Sequence, residues 1–211
     1  MKNVLLVGDS IRAGYDKSVK KTLEGRANII LPNESGRFAA YVLRNLHEFY
    51  KGTGIKNEDI DIIHWNAGLW DCLRMFEEDV QTPIDMYAYY IDRICKRIKN
   101  LYPDAKVIFA TSTSVISERM SVNFKRYNEE IEEYNKTAVE IVKKYGFEVN
   151  DLYALSKSLP EEAHSDAVHY YTPMGTKAFT LQVLSHLKPL LGITEEFEYK
   201  EEMYTAKPHG I

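Results

Sequence analysis

The feature that most constrains this chain is an alternation. Short apolar runs recur, each closed by a turn signal and followed by a longer stretch with helical spacing. Val4-Leu5-Leu6-Val7 runs into Gly8-Asp9-Ser10, and Ala27 to Leu31 stops at Pro32. Ile60 to Trp65 runs into Asn66-Ala67-Gly68, Lys106 to Ala110 into Thr111-Ser112-Thr113-Ser114, and Phe147 to Asp151 forms a fifth run. A strand apolar on both faces must be covered on both sides, as parallel sheets are. The intervening stretches supply the cover. One helix is expected after Ser35 as its cap, with Phe38, Val42, Leu43, Leu46 and Phe49 as its stripe. Others are expected over Pro83 to Tyr102, Phe124 to Tyr145 and Pro173 to Leu191. The pattern predicts an α/β fold: an open five-stranded parallel sheet with helices on both faces.

At 211 residues the chain fits one domain and buries a large core without staples. The domain is expected over 1–193, with a polar tail over 194–211. Cys72 and Cys95 are too few for a disulfide framework and read as core thiols. A formal net charge of −4 argues against a dedicated nucleic-acid binder. No apolar run approaches the roughly 18 residues of a membrane span, and the four apolar residues near the start are too few for a signal-peptide core. A cytoplasmic location is the expectation.

Ligands of such sheets bind beyond the carboxyl ends of the strands. Ser10 stands there, just after the first strand. As a lone tripeptide, Gly8-Asp9-Ser10 also reads as a turn or a helix cap. Asp166-Ala167-Val168-His169 precedes the last helix. An Asp three residues before a His can meet the ring at Nδ1 and leave Nε2 free to face a serine; read alone, the pair is also a polar loop. Gly36, in Asn33-Glu34-Ser35-Gly36-Arg37, offers a backbone N–H near a helix start. Trp65-Asn66-Ala67-Gly68-Leu69-Trp70-Asp71 offers amide, indole and backbone donors with aromatic walls, or simply a tryptophan pair beside a turn. All four segments converge on one edge of the sheet.

Together, Gly8-Asp9-Ser10, the Gly36 segment, Gly68 to Asp71 and Asp166-x-x-His169 resemble the four sequence blocks of the SGNH hydrolases, the GDSL lipase and acylhydrolase family. Tyr134-Asn135 and Asp151-Leu152-Tyr153 are also similar, and the resemblance covers about residues 2 to 191. It implies a flavodoxin-like, three-layer α/β/α sandwich and a catalytic triad with Ser10 as nucleophile, His169 as base and Asp166 as its orienter. It implies an oxyanion hole from the Ser10 and Gly36 N–H groups. The family's third block carries an Asn as third donor; here Trp70 stands in its place, and either Asn66 or Trp70 is expected to serve. Asp9, Trp65, Gly68 and Trp70 are expected to line the substrate pocket. Tyr15, Trp65 and Trp70 offer rings for a sugar.

The expected activity is hydrolysis of a small acyl ester through an acyl-Ser10 intermediate, with no cofactor and no metal. The reading leans to a carbohydrate O-acetyl esterase acting on a small-molecule ester such as an acetylated sugar. Acyl transfer, or lipase or thioesterase action, is the alternative within the fold; a small-molecule binding module is the non-enzymatic one. Ser112 and Ser114 read as pocket lining or caps. His164, five residues before His169, reads at most as part of a surface site, with no third ligand spacing to support a metal.

Overall fold

The structure is a computed structural model that describes residues 1–197. Its strands are β1 (Lys2–Val7), β2 (Ala27–Ile30), β3 (Ile60–Trp65), β4 (Arg74–Met75), β5 (Lys106–Ala110), β6 (Phe124–Lys125) and β7 (Glu148–Asn150). Its helices are α1 (Ser10–Ala13), α2 (Asp16–Thr22), α3 (Ala39–Asn45), α4 (Ile84–Leu101), α5 (Asn128–Lys144), α6 (Leu152–Ser158) and α7 (Pro173–Leu191).

Five strands form one parallel sheet in the order β2-β1-β3-β5-β7. This is the expected flavodoxin-like order. Val4 to Val7 and Ile62 to Trp65 are almost wholly buried, because helices cover both sheet faces. Contacts sort the helices into two groups: α3 packs on α4 and α4 on α5, while α2 and α6 pack on α7. From β1 the chain winds outward to β2, then returns to place β3 on the other side of β1. That reversal opens a crevice beyond the carboxyl ends of β1 and β3, where Ser10 and Asn66 emerge.

One polar chain crosses the core. Asn150 Nδ2 lies 3.1 Å from His64 Nε2, and Gln182 Nε2 donates to Asn150 Oδ1 at 3.1 Å. Burial pushes the His64 imidazole down to about 3, so it stays neutral and ties β3 to β7 and α7.

The structure corrects several element expectations. Phe124 and Lys125 do not start a helix; they pair antiparallel with Met75 and Arg74 in a two-stranded ribbon, and α5 begins only at Asn128. Ser35 does not cap α3. Its Oγ accepts the Arg37 N–H, while the Ala39 N–H at the head of α3 goes to the Asp71 carboxylate. Segment 10–22 forms two short helices, and α6 follows β7. Of the expected tail, 194–197 contacts the body: Glu195 pairs with Arg26 at 3.3 Å and Glu196 with Lys188 at 3.6 Å. The rest of 194–211 lies outside the described residues. No helix among the described residues is long and apolar enough to cross a membrane.

Candidate active site

Asp9 sets the start of α1. Its Oδ1 accepts the Ile11 N–H at 2.9 Å, an N-cap bond that fixes the turn after β1. Ser10 is therefore the first helical residue, held at the mouth of the crevice. Two glycines let the neighbouring backbones close around it. A Cβ on Gly8 would stand 2.0 Å from Asn66 Oδ1, and one on Gly36 would stand 3.1 Å from the Gly8 carbonyl group.

The loop before α7 brings in the expected base. His169 Nε2 lies 2.8 Å from Ser10 Oγ, across 159 residues of sequence. On its other side Nδ1 lies 2.8 and 3.0 Å from the two Asp166 oxygens. A carboxylate facing Nδ1 places the proton there and leaves Nε2 to accept from the serine. Asp166 Oδ1 also accepts the Val168 and His169 backbone N–H groups, at 2.8 and 2.9 Å. Partial burial opposes its ionisation, but these N–H groups and the imidazole outweigh it and hold the carboxyl below its usual range. The expected Ser10, His169 and Asp166 thus meet as one hydrogen-bonded line.

Sequence reading did not single out Tyr171. Its ring stacks on His169 at 4.6 Å, and its hydroxyl donates to the Ser10 carbonyl at 2.7 Å. One side chain therefore braces both the His169 ring and the Ser10 backbone. Its position two residues after His169 was the available signal. Ser165 grips the same loop, donating through its N–H to the His169 carbonyl at 2.8 Å.

The groups expected to donate to an oxyanion are not all free. The Gly36 N–H donates to the Gly8 carbonyl at 2.7 Å, so it is spent within the fold. The close approach that requires glycine at both positions also creates this bond. Asn66 is buried, with its amide under Gly8 and against Asp9; burial pushes the Asp9 carboxyl up, and the Ile11 N–H and Asn66 only partly oppose this. Trp70 is half-buried and meets Phe124 edge to face at 6.4 Å. The Ser10 N–H lies in the first turn of α1, where no intrahelical acceptor exists.

The pocket expectations need the same correction. Trp65 is the last residue of β3, fully buried, with its ring on Phe109 at 4.9 Å. A strand covered on both faces has no wall to offer a ligand. Tyr15 is buried too, stacked near Phe179 and edge-on to His64. Gly68, at φ +142°, is a point of close approach: a Cβ there would stand 2.7 Å from Ser112 Oγ. Asp9 acts as a buried cap. Of the expected rings only Trp70 is partly open. Ser112 is pinned by Asn135 through its backbone, Ser114 Oγ bonds Tyr170 at 2.9 Å, and the His164 ring lies tilted against Tyr170 at 3.9 Å. A groove of about 580 Å³ between α3 and α4, lined by Arg44, His47, Arg93, Lys96 and Arg97, holds none of these residues.

The fold and the Ser–His–Asp line describe a doubly wound α/β/α architecture of the kind seen in solved acylhydrolases. Among similar structures is a lipase/acylhydrolase from Enterococcus faecalis, at 19% identity and a TM-score of 0.71, covering 95% of this chain and 99% of that one. An acetyl xylan esterase is similar at 16% identity and 0.68, covering 88% and 99%. A Geobacillus acetyl-xylooligosaccharide esterase, solved as a mutant, is similar at 16% and 0.66, covering 92% and 97%. No family model matches the sequence, and no curated protein matches it. The shared feature is the fold.

Proposed function

We propose that this chain is a serine esterase of the SGNH type that hydrolyses esters of small acyl groups. The observation that carries the reading is the line Asp166–His169–Ser10, closed at 2.8 Å on each side of the imidazole. In the first half-reaction Ser10 Oγ bonds to the ester carbonyl carbon as its proton passes to His169 Nε2. The carbonyl π electrons move onto oxygen as the oxyanion. Collapse of this intermediate breaks the bond to the leaving alcohol, which takes the proton from Nε2. Water then attacks the acyl-Ser10 ester, again giving its proton to His169. The acid leaves, and the proton returns to Ser10. Asp166 stays ionised and offsets the charge of the imidazolium.

Two of the similar structures are named as esterases of acetylated xylan or xylooligosaccharides. With Trp70 half-buried in the loop that leaves β3, this favours an acetylated carbohydrate as the substrate class. Ser10 is only 6% exposed, which suits an acetyl group better than a long chain.

A fluorophosphonate probe should label Ser10, and Ser10→Ala should lower turnover by roughly three orders of magnitude or more. His169→Ala should do the same and His164→Ala should not. Labelling at Ser112 or Ser114 with Ser10→Ala still active would overturn the assignment. On acetylated xylooligosaccharides against nitrophenyl octanoate, kcat/KM should favour the acetyl sugar; the reverse would remove the carbohydrate assignment and leave the triad standing.

A further inference from the structure

Gly14 closes α1 in an ordinary right-handed conformation, at φ −71° and ψ −22°. Alanine adopts that backbone without strain and loses less entropy than glycine in doing so. The glycine therefore serves space rather than conformation. A Cβ at this position would stand 2.8 Å from both Cδ1 and Cε1 of Tyr171. Those atoms belong to a rigid ring, not to the free end of a flexible chain.

The Tyr171 ring is also held on its other contacts. It stacks on the His169 imidazole, with centroids 4.6 Å apart and planes 18° from parallel. Its hydroxyl donates to the Ser10 carbonyl at 2.7 Å. Burial raises the pKa of that hydroxyl, so the phenol keeps its proton and remains a donor. The Ser10 carbonyl has use for one. Helix α1 is a single turn, too short to give its carbonyls partners four residues on, and the Gly14 N–H goes to the Ile11 carbonyl instead. The Tyr171 backbone N–H donates to Ser165 Oγ at 3.2 Å, and the same Oγ donates to the His169 carbonyl at 3.1 Å.

Ser10 and His169 lie 159 residues apart in sequence, and their 2.8 Å contact depends on how two separate segments are held. Tyr171 touches both, and displacing its ring would shift the imidazole and the Ser10 turn against each other. Resting on the Ser10 esterase reading, we propose that Tyr171 is a positioning residue that sets the approach of Ser10 Oγ to His169 Nε2, and that residue 14 is glycine to admit its ring. Proton transfer between the two is steep in distance and angle: a misplacement of about 1 Å costs about 100-fold in rate. The effect falls on kcat, because Tyr171 acts on the reacting pair and not on the substrate.

The test uses Tyr171→Phe, which keeps the ring and removes the hydroxyl, with Tyr171→Ala, Gly14→Ala and the Gly14→Ala/Tyr171→Ala double variant. With nitrophenyl acetate, Tyr171→Phe should lose about tenfold in kcat and Tyr171→Ala about 100-fold, with KM within about threefold of wild type. The rate of Ser10 labelling by the fluorophosphonate probe should fall in step. Gly14→Ala alone should lose about tenfold or more in kcat and lower Tm, because its methyl group displaces the ring. Added to Tyr171→Ala, the same change should cost nothing further in kcat and should raise Tm, since the clash is gone and the helical backbone favours alanine. Tyr171→Phe and Tyr171→Ala both within about threefold of wild-type kcat would overturn the positioning role, and so would a loss confined to KM, which would make Tyr171 a substrate contact. Equal losses from Gly14→Ala in the two backgrounds would overturn the role given to the glycine. If Tyr171→Ala does not fold, Tyr171→Phe and Gly14→Ala decide: kcat within about threefold of wild type in both overturns the proposal. Failure of wild-type Ser10 to react with the probe would overturn the esterase reading instead, and the coupling of positions 14 and 171 in Tm would still be measurable.

Discussion

Asp71 accepts the Ala39 N–H through both oxygens, at 3.1 and 3.0 Å, with no exposed surface. Burial pushes its carboxyl up to about 7, against the pull of the Ala39 N–H and the Thr82 side chain. An acid raised in this way keeps its proton longer folded than unfolded. Stability is therefore highest below the unfolded value near 4, declines as pH rises, and stays reduced above about 7. Asp71→Asn keeps an acceptor for Ala39 and removes the ionisation. Its advantage over wild type should grow by about 2–3 kcal/mol, or about 5–10 °C in Tm, between about pH 5 and pH 8. Thermal scans of both proteins at the two pH values check this; a pH-independent difference would mean that Asp71 is already ionised at pH 5. Asp166 is held below the usual carboxylate range by its two backbone N–H bonds and the imidazole, so it keeps its charge at mildly acid pH. At this scale the meeting of Ser10, His169 and Asp166 was legible, because a serine at a strand end and an Asp-x-x-His before the last helix are short local patterns whose places the fold fixes. Tyr171 was not: a tyrosine next to a tyrosine reads as surface or core alike, and its contacts with Ser10 and Gly14 are distant in sequence. Trp65 misled because aromatic character does not reveal which side of a strand end is open.

The strands of the main sheet could be read almost to the residue, since doubly covered strands are unbroken apolar runs bounded by turn formers. The helices were less exact at their starts, where tertiary partners decide. Helix α5 illustrates this: nothing local forbids a helix from Phe124, but pairing with Arg74-Met75 keeps Phe124-Lys125 extended. Two asparagines on α5 then pin the loop after β5. Asn128 exchanges bonds with Val115, accepting its N–H and donating to its carbonyl, both at 3.0 Å. Asn135 does the same for Ser112, at 2.7 and 2.9 Å. Asn135→Ala strands both groups in the interior, at a cost of about 1–3 kcal/mol and a Tm fall of about 2–10 °C. Asn135→Asp keeps the acceptor but turns a carboxylate oxygen toward the Ser112 carbonyl, so it should not restore stability. Rescue by Asp would mean that only the Ser112 N–H needs a partner.

At the scale of the whole molecule, the proposed nucleophile and its base are brought together from opposite ends of the described chain. Ser10 follows β1, whereas His169 precedes α7, whose Phe179, Val183, Leu184 and Leu187 complete the core. A ribosome makes the serine early and the imidazole more than 150 residues later. During most of translation the nascent polypeptide therefore carries a hydroxyl with no base, in a sheet whose covering helix has not been made. Chains stalled before Asp166 leaves the exit tunnel should not react with the fluorophosphonate probe, and chains stalled after α7 has emerged should. Labelling of the shorter chains would show that Ser10 is activated without His169. If they stay silent, the onset of reactivity marks the moment at which the fold closes around Ser10.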